Sequence, residues 1–282
     1  LITQIYEIQT PEEVEPLGEI GVDHIGSVIL SEKDWRLPVI RETVRAVQGI
    51  GKKSTLIPLY NDPATVFRTL DYYQPDIVHF CEMLTLNADG KALCQQLLSL
   101  QQEVRLRYPD VRIMRSIPIG RPGEHVAIPT IALSELFQPV SDLFLTDTVL
   151  SVGVALKEQP VEGFVGITGQ TCRWQTAREL VEFAHIPVIL AGGLSPENVY
   201  EGVRAVDPVG VDSCTCTNRI DDQGRPIRFE KDLERVRRFV MEAHRAANDM
   251  VGSSKAGQTS MRNGCVSAGS KMEMDSIRNN NL

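Results

Sequence analysis

What this 282-residue chain lacks narrows it quickly. Its apolar runs stop at roughly 8 residues, far short of the ~20 that a membrane-spanning helix needs, so no transmembrane segment is expected. No charged stretch followed by an apolar one stands at the start, so a cytoplasmic protein is expected rather than a secreted one. The six cysteines, at 81, 94, 172, 214, 216 and 265, have neither the spacing of a paired disulfide framework nor a CxxC knuckle, and reduced thiols are expected. Cys214 and Cys216 form a CxC pair that would suit a soft metal. No second pair or nearby histidine completes four ligands, so the plainer reading is small buried residues and no metal. Positive charge is also in deficit, with 29 Lys and Arg against 37 Asp and Glu and a net charge of -8. That excludes a nonspecific nucleic-acid binder, which needs a basic surface to displace phosphate counterions, but leaves room for a local pocket for a small anion.

What is present is a globular composition, 42% hydrophobic and 23% charged, long enough for two domains or one large barrel. Short β-branched runs alternate with helical patterns. Strands are expected at 2–6, 24–30, 54–59, 76–80, 111–117, 142–145, 187–191 and 209–213. Between them apolar residues recur every three or four positions, the helical period. Val14, Leu17 and Ile20 follow Thr10-Pro11-Glu12-Glu13, a capping residue with proline at the first helical position and early acids. Asp62-Pro63 stands ahead of Val66, Leu70 and Tyr73 in the same way, and Ser195-Pro196-Glu197-Asn198 opens a later helix. Further helices are expected at 39–47, 92–108, 132–137, 177–184 and 232–246.

Strands alternating with helices imply a parallel sheet, because each crossover returns the chain to the same end. Eight such units in about 248 residues predict an α/β fold, the (β/α)8 TIM barrel. A doubly wound open sheet would favour a Gly-x-Gly-x-x-Gly turn after the first strand, and the chain there reads Tyr6-Glu7-Ile8-Gln9-Thr10, without glycine. The barrel domain is placed at 1–248. Residues 249–282, rich in Ser, Gly and Asn and without apolar period, are expected to be a disordered tail.

A barrel of this kind carries its active site at the carboxyl ends of its strands. After the seventh expected strand comes Ala191-Gly192-Gly193-Leu194-Ser195, and after the eighth Asp212-Ser213-Cys214-Thr215. Glycines leave backbone N–H groups open to a phosphate, a helix N-terminus adds a favourable dipole, and barrels often bind phosphate after strands seven and eight. Gly166-Ile167-Thr168-Gly169-Gln170-Thr171 is a third such turn, although glycine also serves plain turns and close packing. In Phe144-Leu145-Thr146-Asp147-Thr148 a carboxylate ends an apolar strand. Desolvation there would raise its pKa toward the range of a general acid; a cap for the following turn is the alternative.

The run Pro187-Val188-Ile189-Leu190-Ala191-Gly192-Gly193-Leu194-Ser195-Pro196-Glu197-Asn198-Val199, followed by Gly210-Val211-Asp212-Ser213, resembles the last two strands of the phosphoribosylanthranilate isomerase family of tryptophan biosynthesis. The Gly166–Gly169 turn with Trp174 resembles that family's Gly-Gly-Thr-Gly turn and Asp-Trp, and Leu145-Thr146-Asp147-Thr148 its Leu-Leu-Asp-Thr. The resemblance spans residues 2 to 246 and is specific in the C-terminal half. It implies an Amadori rearrangement without metal or cofactor, in which an acid opens the ribose ring to a Schiff base and a base removes the C2 proton. By the match Asp147 is the acid, and Gly166, Thr168, Gly169, Gly192, Gly193 and Ser213 hold the phosphate of a small substrate. A monomer or homodimer is expected.

The sequence also departs from the family. Where the family has Lys-Ile-Cys-Gly, with cysteine as the base, this chain has Gln4-Ile5-Tyr6-Glu7. A tyrosine of pKa ~10 is a poor proton acceptor at neutral pH, and Glu7 is chemically better, but strand side chains alternate, so only a bend would bring it inward. The family's Gln-Leu-His-Gly reads His79-Phe80-Cys81-Glu82 here, which makes Cys81 a third candidate, with a buried neutral thiol as its plainer state. The family's carboxylate-binding arginine falls on Lys33 or Arg36, either of which is equally read as a solvated loop charge; only arginine offers a bidentate fork. The long segment after the fifth expected helix's preceding strand, Ile119-Gly120-Arg121-Pro122-Gly123-Glu124-His125, would overhang the pocket, with Arg121 and His125 as candidate contacts. Two functions follow: an isomerase of this type with an altered base, or a barrel that kept the phosphate site for another phosphorylated metabolite.

Overall fold

The computed structural model describes residues 1–123, 128–150, 162–166 and 168–264. Eight parallel strands close into a barrel in sequence order: β1 (Ile2–Ile5), β2 (His24–Ile29), β3 (Lys53–Pro58), β4 (Ile77–Phe80), β5 (Arg112–Gly120), β6 (Leu143–Val149), β7 (Val188–Leu190) and β8 (Gly210–Ser213). Closure is made by β1 against β8, with Ile2 opposite Gly210 and Ile5 opposite Ser213. The expected TIM barrel is therefore the fold, and every expected strand is present to within a few residues at its ends.

The helices form where the apolar period and the capping chemistry coincide. They are α1 (Val14–Ile20), α2 (Pro38–Gly49), α3 (Pro63–Tyr73), α4 (Ala88–Arg107), α5 (Thr130–Phe137), α6 (Trp174–Phe183), α7 (Val199–Val206) and α8 (Leu233–Gly264). Asp62 caps α3 by accepting from the Thr65 N–H at 2.8 Å, and Asn87 caps α4 by accepting from the Gly90 N–H at 2.8 Å. Each satisfies a donor that the first helical turn leaves without a partner. The helices bury one stripe against the outside of the barrel: Val14 and Leu17 of α1 and Val236, Phe239 and Val240 of α8 share one apolar cluster.

Three features differ from expectation. Ser195 does not cap the helix after β7; α7 starts at Val199, with Asn198 at its cap. The Asn198 side chain folds back instead, accepting from the Ser195 N–H at 2.8 Å and donating to the Gly193 carbonyl at 3.0 Å, so it braces the glycine turn rather than extending the helix. Between β8 and α8 stands an antiparallel hairpin that no pattern announced, β9 (Asn218–Ile220) with β10 (Pro226–Lys231). Its turn is tied by Asp221, whose Oδ1 accepts from the N–H groups of Gln223 and Arg225. Finally, α8 continues past Asn248, so the boundary expected at 249 falls inside a helix, while residues 265–282 lie outside the described residues. Among the described residues no helix is long and apolar enough to cross a membrane.

Candidate active site

At the carboxyl end of the barrel the strand ends surround a cavity of about 750 Å³, open mouth included. That is the size range of small-molecule sites. Two glycine-bearing turns and one hydroxyl-bearing turn meet there: Gly166, Thr168 and Gly169 from the turn before α6, Gly192 and Gly193 after β7, and Ser213 and Thr215 after β8 all line the cavity. Ile167 lies outside the described residues. Gly193 sits at φ 58°, and a Cβ there would come within 2.4 Å of the Gln170 carbonyl carbon, so no other residue fits while the two turns touch. The Ser213 hydroxyl donates to the Leu194 carbonyl at 2.8 Å, which ties the second turn to the third. The result is a wall built of small residues, the setting in which backbone N–H groups can receive an oxyanion.

Asp147 stands beside that wall. It lies within β6, which runs two residues further than it, and a Cβ on Gly166 would be only 2.7 Å from its Oδ2. Burial of the carboxyl pushes its pKa from 3.8 up to about 7, against the pull of the Thr148 N–H and the Ser116 hydroxyl and with help from the charge of Asp212. A carboxyl with that pKa is protonated often enough at neutral pH to donate and still acidic enough to do so. Asp212, at the end of β8, is a second buried carboxyl in the cavity. Burial raises it to about 7 as well, and Gln4 donates to it at 3.0 Å.

Of the three candidate bases, the structure brings all to the cavity and gives them different chemistry. Tyr6 is buried and its phenol is pushed well above 10, chiefly by burial. The Cys81 thiol is likewise pushed well above 9 by burial and by the neighbouring Glu82 and Asp147 charges. Both are held protonated. Glu7 takes up the bend that strand alternation required, a left-handed φ of 65°, rare for a residue with a Cβ. The bend turns its fully buried carboxylate to the cavity, where Oε1 pairs with Arg228 of β10 and Oε2 has no partner. Arg228 reaches it from the unannounced hairpin, next to a bulge residue, Phe229, at φ 66°.

Lys33 and Arg36 are not brought to the cavity. Both are exposed in the connection from β2 to α2, and the Arg36 guanidinium lies 4.9 Å from the Tyr72 ring centroid, drawn there by the aromatic face. Among the described residues that line the cavity none is Lys or Arg; Arg228 pairs with the lining residue Glu7, and Arg235 donates to the carbonyl of the lining residue Cys216 at 3.0 Å. Arg121 does not line the cavity; its carbonyl accepts from Arg173 at 3.5 Å. His125 lies outside the described residues. Cys214 and Cys216 are free thiols in the cavity wall, and no three His, Cys, Asp or Glu side chains among the described residues are grouped to hold a metal. Arg228, Asp212 and His79 were not singled out as functional from the sequence. Of these only Asp212, at a strand end beside a glycine-rich neighbour, carried a readable signal.

Comparison with known proteins bears on the family. A family model described as N-(5'phosphoribosyl)anthranilate (PRA) isomerase matches residues 131–241. An N-(5'-phosphoribosyl)anthranilate isomerase of Methanocella arvoryzae is 34% identical over 139 residues, 49% of this chain and 54% of that protein. N-(5'-phosphoribosyl)anthranilate isomerase 2 of Methanosarcina mazei is 31% identical over 193 residues, 68% of this chain and 73% of that protein. The crystal structure of phosphoribosyl anthranilate isomerase from Thermotoga maritima superposes with a TM-score of 0.61 at 16% identity, covering 86% of this chain and 98% of that one, a likeness of fold.

Proposed function

The chain belongs to the N-(5'-phosphoribosyl)anthranilate isomerase family, and from that membership and the cavity just described we propose that it converts N-(5-phosphoribosyl)anthranilate to 1-(o-carboxyphenylamino)-1-deoxyribulose 5-phosphate. The observation that carries the reading is the meeting of a raised carboxyl, Asp147, with two glycine-bearing turns and the Ser213 turn at one end of a barrel. The turns hold the phosphate through their N–H groups. Asp147 gives its proton to the ribose ring oxygen as the C1–O bond breaks, leaving an iminium between C1 and the anthranilate nitrogen. Glu7 then takes the C2 proton, and the C–H electron pair forms the C1–C2 double bond of an enolamine that tautomerises to the ketose. Glu7 is preferred over Tyr6 and Cys81 because it is the candidate with an unpartnered acceptor oxygen. No cofactor enters these steps. The anthranilate carboxylate is not assigned to Lys33 or Arg36, which lie away from the cavity, and the role of Arg228 is to hold Glu7 in place.

The test is direct. Purified protein consumes the fluorescence of N-(5-phosphoribosyl)anthranilate, and Asp147→Asn abolishes the loss. An inactive wild type at high enzyme concentration refutes the proposal.

A further inference from the structure

The two places where the sequence departs from its family, the end of β1 and the end of β4, touch each other. Tyr6 and His79 are 73 residues apart in the chain, yet the Tyr6 hydroxyl lies 2.7 Å from His79 Nδ1. On the other side of the ring, His79 Nε2 lies 2.9 Å from the Ser116 hydroxyl of β5, and Ser116 is in turn the neighbouring hydroxyl that pulls the Asp147 pKa down. The line Tyr6, His79, Ser116, Asp147 thus crosses the barrel mouth from β1 through β4 and β5 to β6. Space for it is made by Gly26 of β2, where a Cβ would fall 2.2 Å from the Tyr6 ring.

The chemistry of the members gives the line one direction. Burial keeps the Tyr6 phenol protonated, and burial with the nearby Arg115 charge lowers His79 to about 3, so the imidazole is neutral. A neutral imidazole donates from one nitrogen and accepts at the other. With the phenol donating to Nδ1, the ring proton is on Nε2 and is given to the Ser116 oxygen. The one proton of Ser116 is then left for Asp147. We propose that Tyr6, His79 and Ser116 are positioning residues that act as one unit, a fixed-direction donor chain aimed at the Asp147 carboxyl, which steadies the carboxylate that forms as the acid gives up its proton. On this assignment Tyr6 is not the base: it stands where the family's base stands but works through His79 on the acid. The inference rests on Asp147 being the acid of the proposed reaction.

Its consequences differ from those of a core contact. A donor to the carboxylate favours the ionised form, so its loss raises the Asp147 pKa and moves the alkaline limb of the kcat profile to higher pH while kcat falls. A hydrogen bond to a charged group implies a loss of about ten- to a hundredfold in kcat, with a limb shift of about one unit. The other titratable groups facing Asp147 are Asp212 of β8, Cys81 after β4 and Cys172 ahead of α6, and none of them changes in the variants below.

The experiment measures kcat against pH, and in parallel titrates the Asp147 carboxyl by 13C NMR, for the wild type and for Ser116→Ala, Ser116→Thr, His79→Leu, His79→Gln and Tyr6→Phe. Expected are a raised carboxyl pKa and lower kcat in Ser116→Ala and His79→Leu. Ser116→Thr keeps the hydroxyl, and His79→Gln, whose amide accepts at one end and donates at the other, recovers most of the His79→Leu loss. Tyr6→Phe, which frees the tautomer, gives an intermediate effect. An Asp147 titration that stays put in Ser116→Ala and His79→Leu overturns the proposal, whatever kcat does; if either variant fails to fold, an unmoved titration in Tyr6→Phe overturns it. The NMR readout needs no turnover, so an inactive wild type would count against the proposed reaction and not against the chain of donors.

Discussion

Asp147→Asn separates the demands of chemistry from those of folding. Burial raises this carboxyl from 3.8 to about 7. In the unfolded chain the group is ionised above its ordinary value; in the folded protein it stays protonated until about pH 7. The folded state therefore holds more protons across that interval, and stability falls as pH rises through it, at about 1.4 kcal/mol per unit. The whole interval amounts to about 4 kcal/mol, and the part between pH 5 and pH 8 covers about two units, or about 2.7 kcal/mol. Asparagine does not titrate and keeps an oxygen for the Thr148 N–H, which donates to Asp147 at 2.9 Å. The variant should thus be inactive yet gain about 2 to 3 kcal/mol over wild type on going from pH 5 to pH 8, the lower figure reflecting contact of the carboxyl with cavity water. For a protein of this length that is a melting-temperature difference of about 5 to 10 °C. Equilibrium urea unfolding of both proteins at the two pH values reads it. A variant whose advantage is the same at pH 5 and pH 8, or shrinks with pH, would show that the carboxyl is not held protonated and would refute the argument.

Three further outcomes follow from the same geometry. Glu7→Gln keeps the size and one acceptor but removes the base, so kcat should fall by about 10² to 10⁴ in the fluorescence assay with KM little changed. Gly193→Ala places a methyl 2.4 Å from the Gln170 carbonyl carbon at a φ of 58°, so the phosphate wall must shift; KM should rise, stabilisation by inorganic phosphate in thermal melts should vanish, and unfolding should cost about 1 to 3 kcal/mol less. Arg228→Met strands the buried Glu7 carboxylate, and since the Arg228 side chain is 30% exposed the loss in urea unfolding should be about 2 kcal/mol, below the 3 to 5 of a wholly buried pair. Arg36→Ala, whose side chain lies away from the cavity, should leave KM unchanged.

Much of the fold was legible because its signals are local. Thr10-Pro11 and Asp62-Pro63 mark helix starts within four residues, and strands such as 24–30 show as buried β-branched runs. Reading failed where a side chain serves a distant partner instead of its own helix: Ser195-Pro196 looks like a helix start, but Asn198 spends its amide on the Gly193 turn. The β9–β10 hairpin escaped because three and six residues are too few for a period of two to stand out, although the Asp221 to Gly224 turn is ordinary hairpin chemistry.

By itself, then, the sequence determined the barrel and marked the three turns and the Asp147 carboxyl that the fold brings to one cavity, since periodicity, glycine spacing and a carboxylate near the end of an apolar run are properties of neighbouring residues. The tertiary structure decided the rest of the chemistry. A single dihedral, φ 65° at Glu7, chose which side of the strand its carboxylate faces. Barrel closure brought Tyr6 to His79 and Arg228 to Glu7 across 73 and 221 residues. Lys33 and Arg36 were left at the surface, where Tyr72 holds Arg36. The physical reason is that burial, which sets the pKa of Asp147 and keeps Tyr6 and Cys81 protonated, is a property of the closed barrel and of no segment within it.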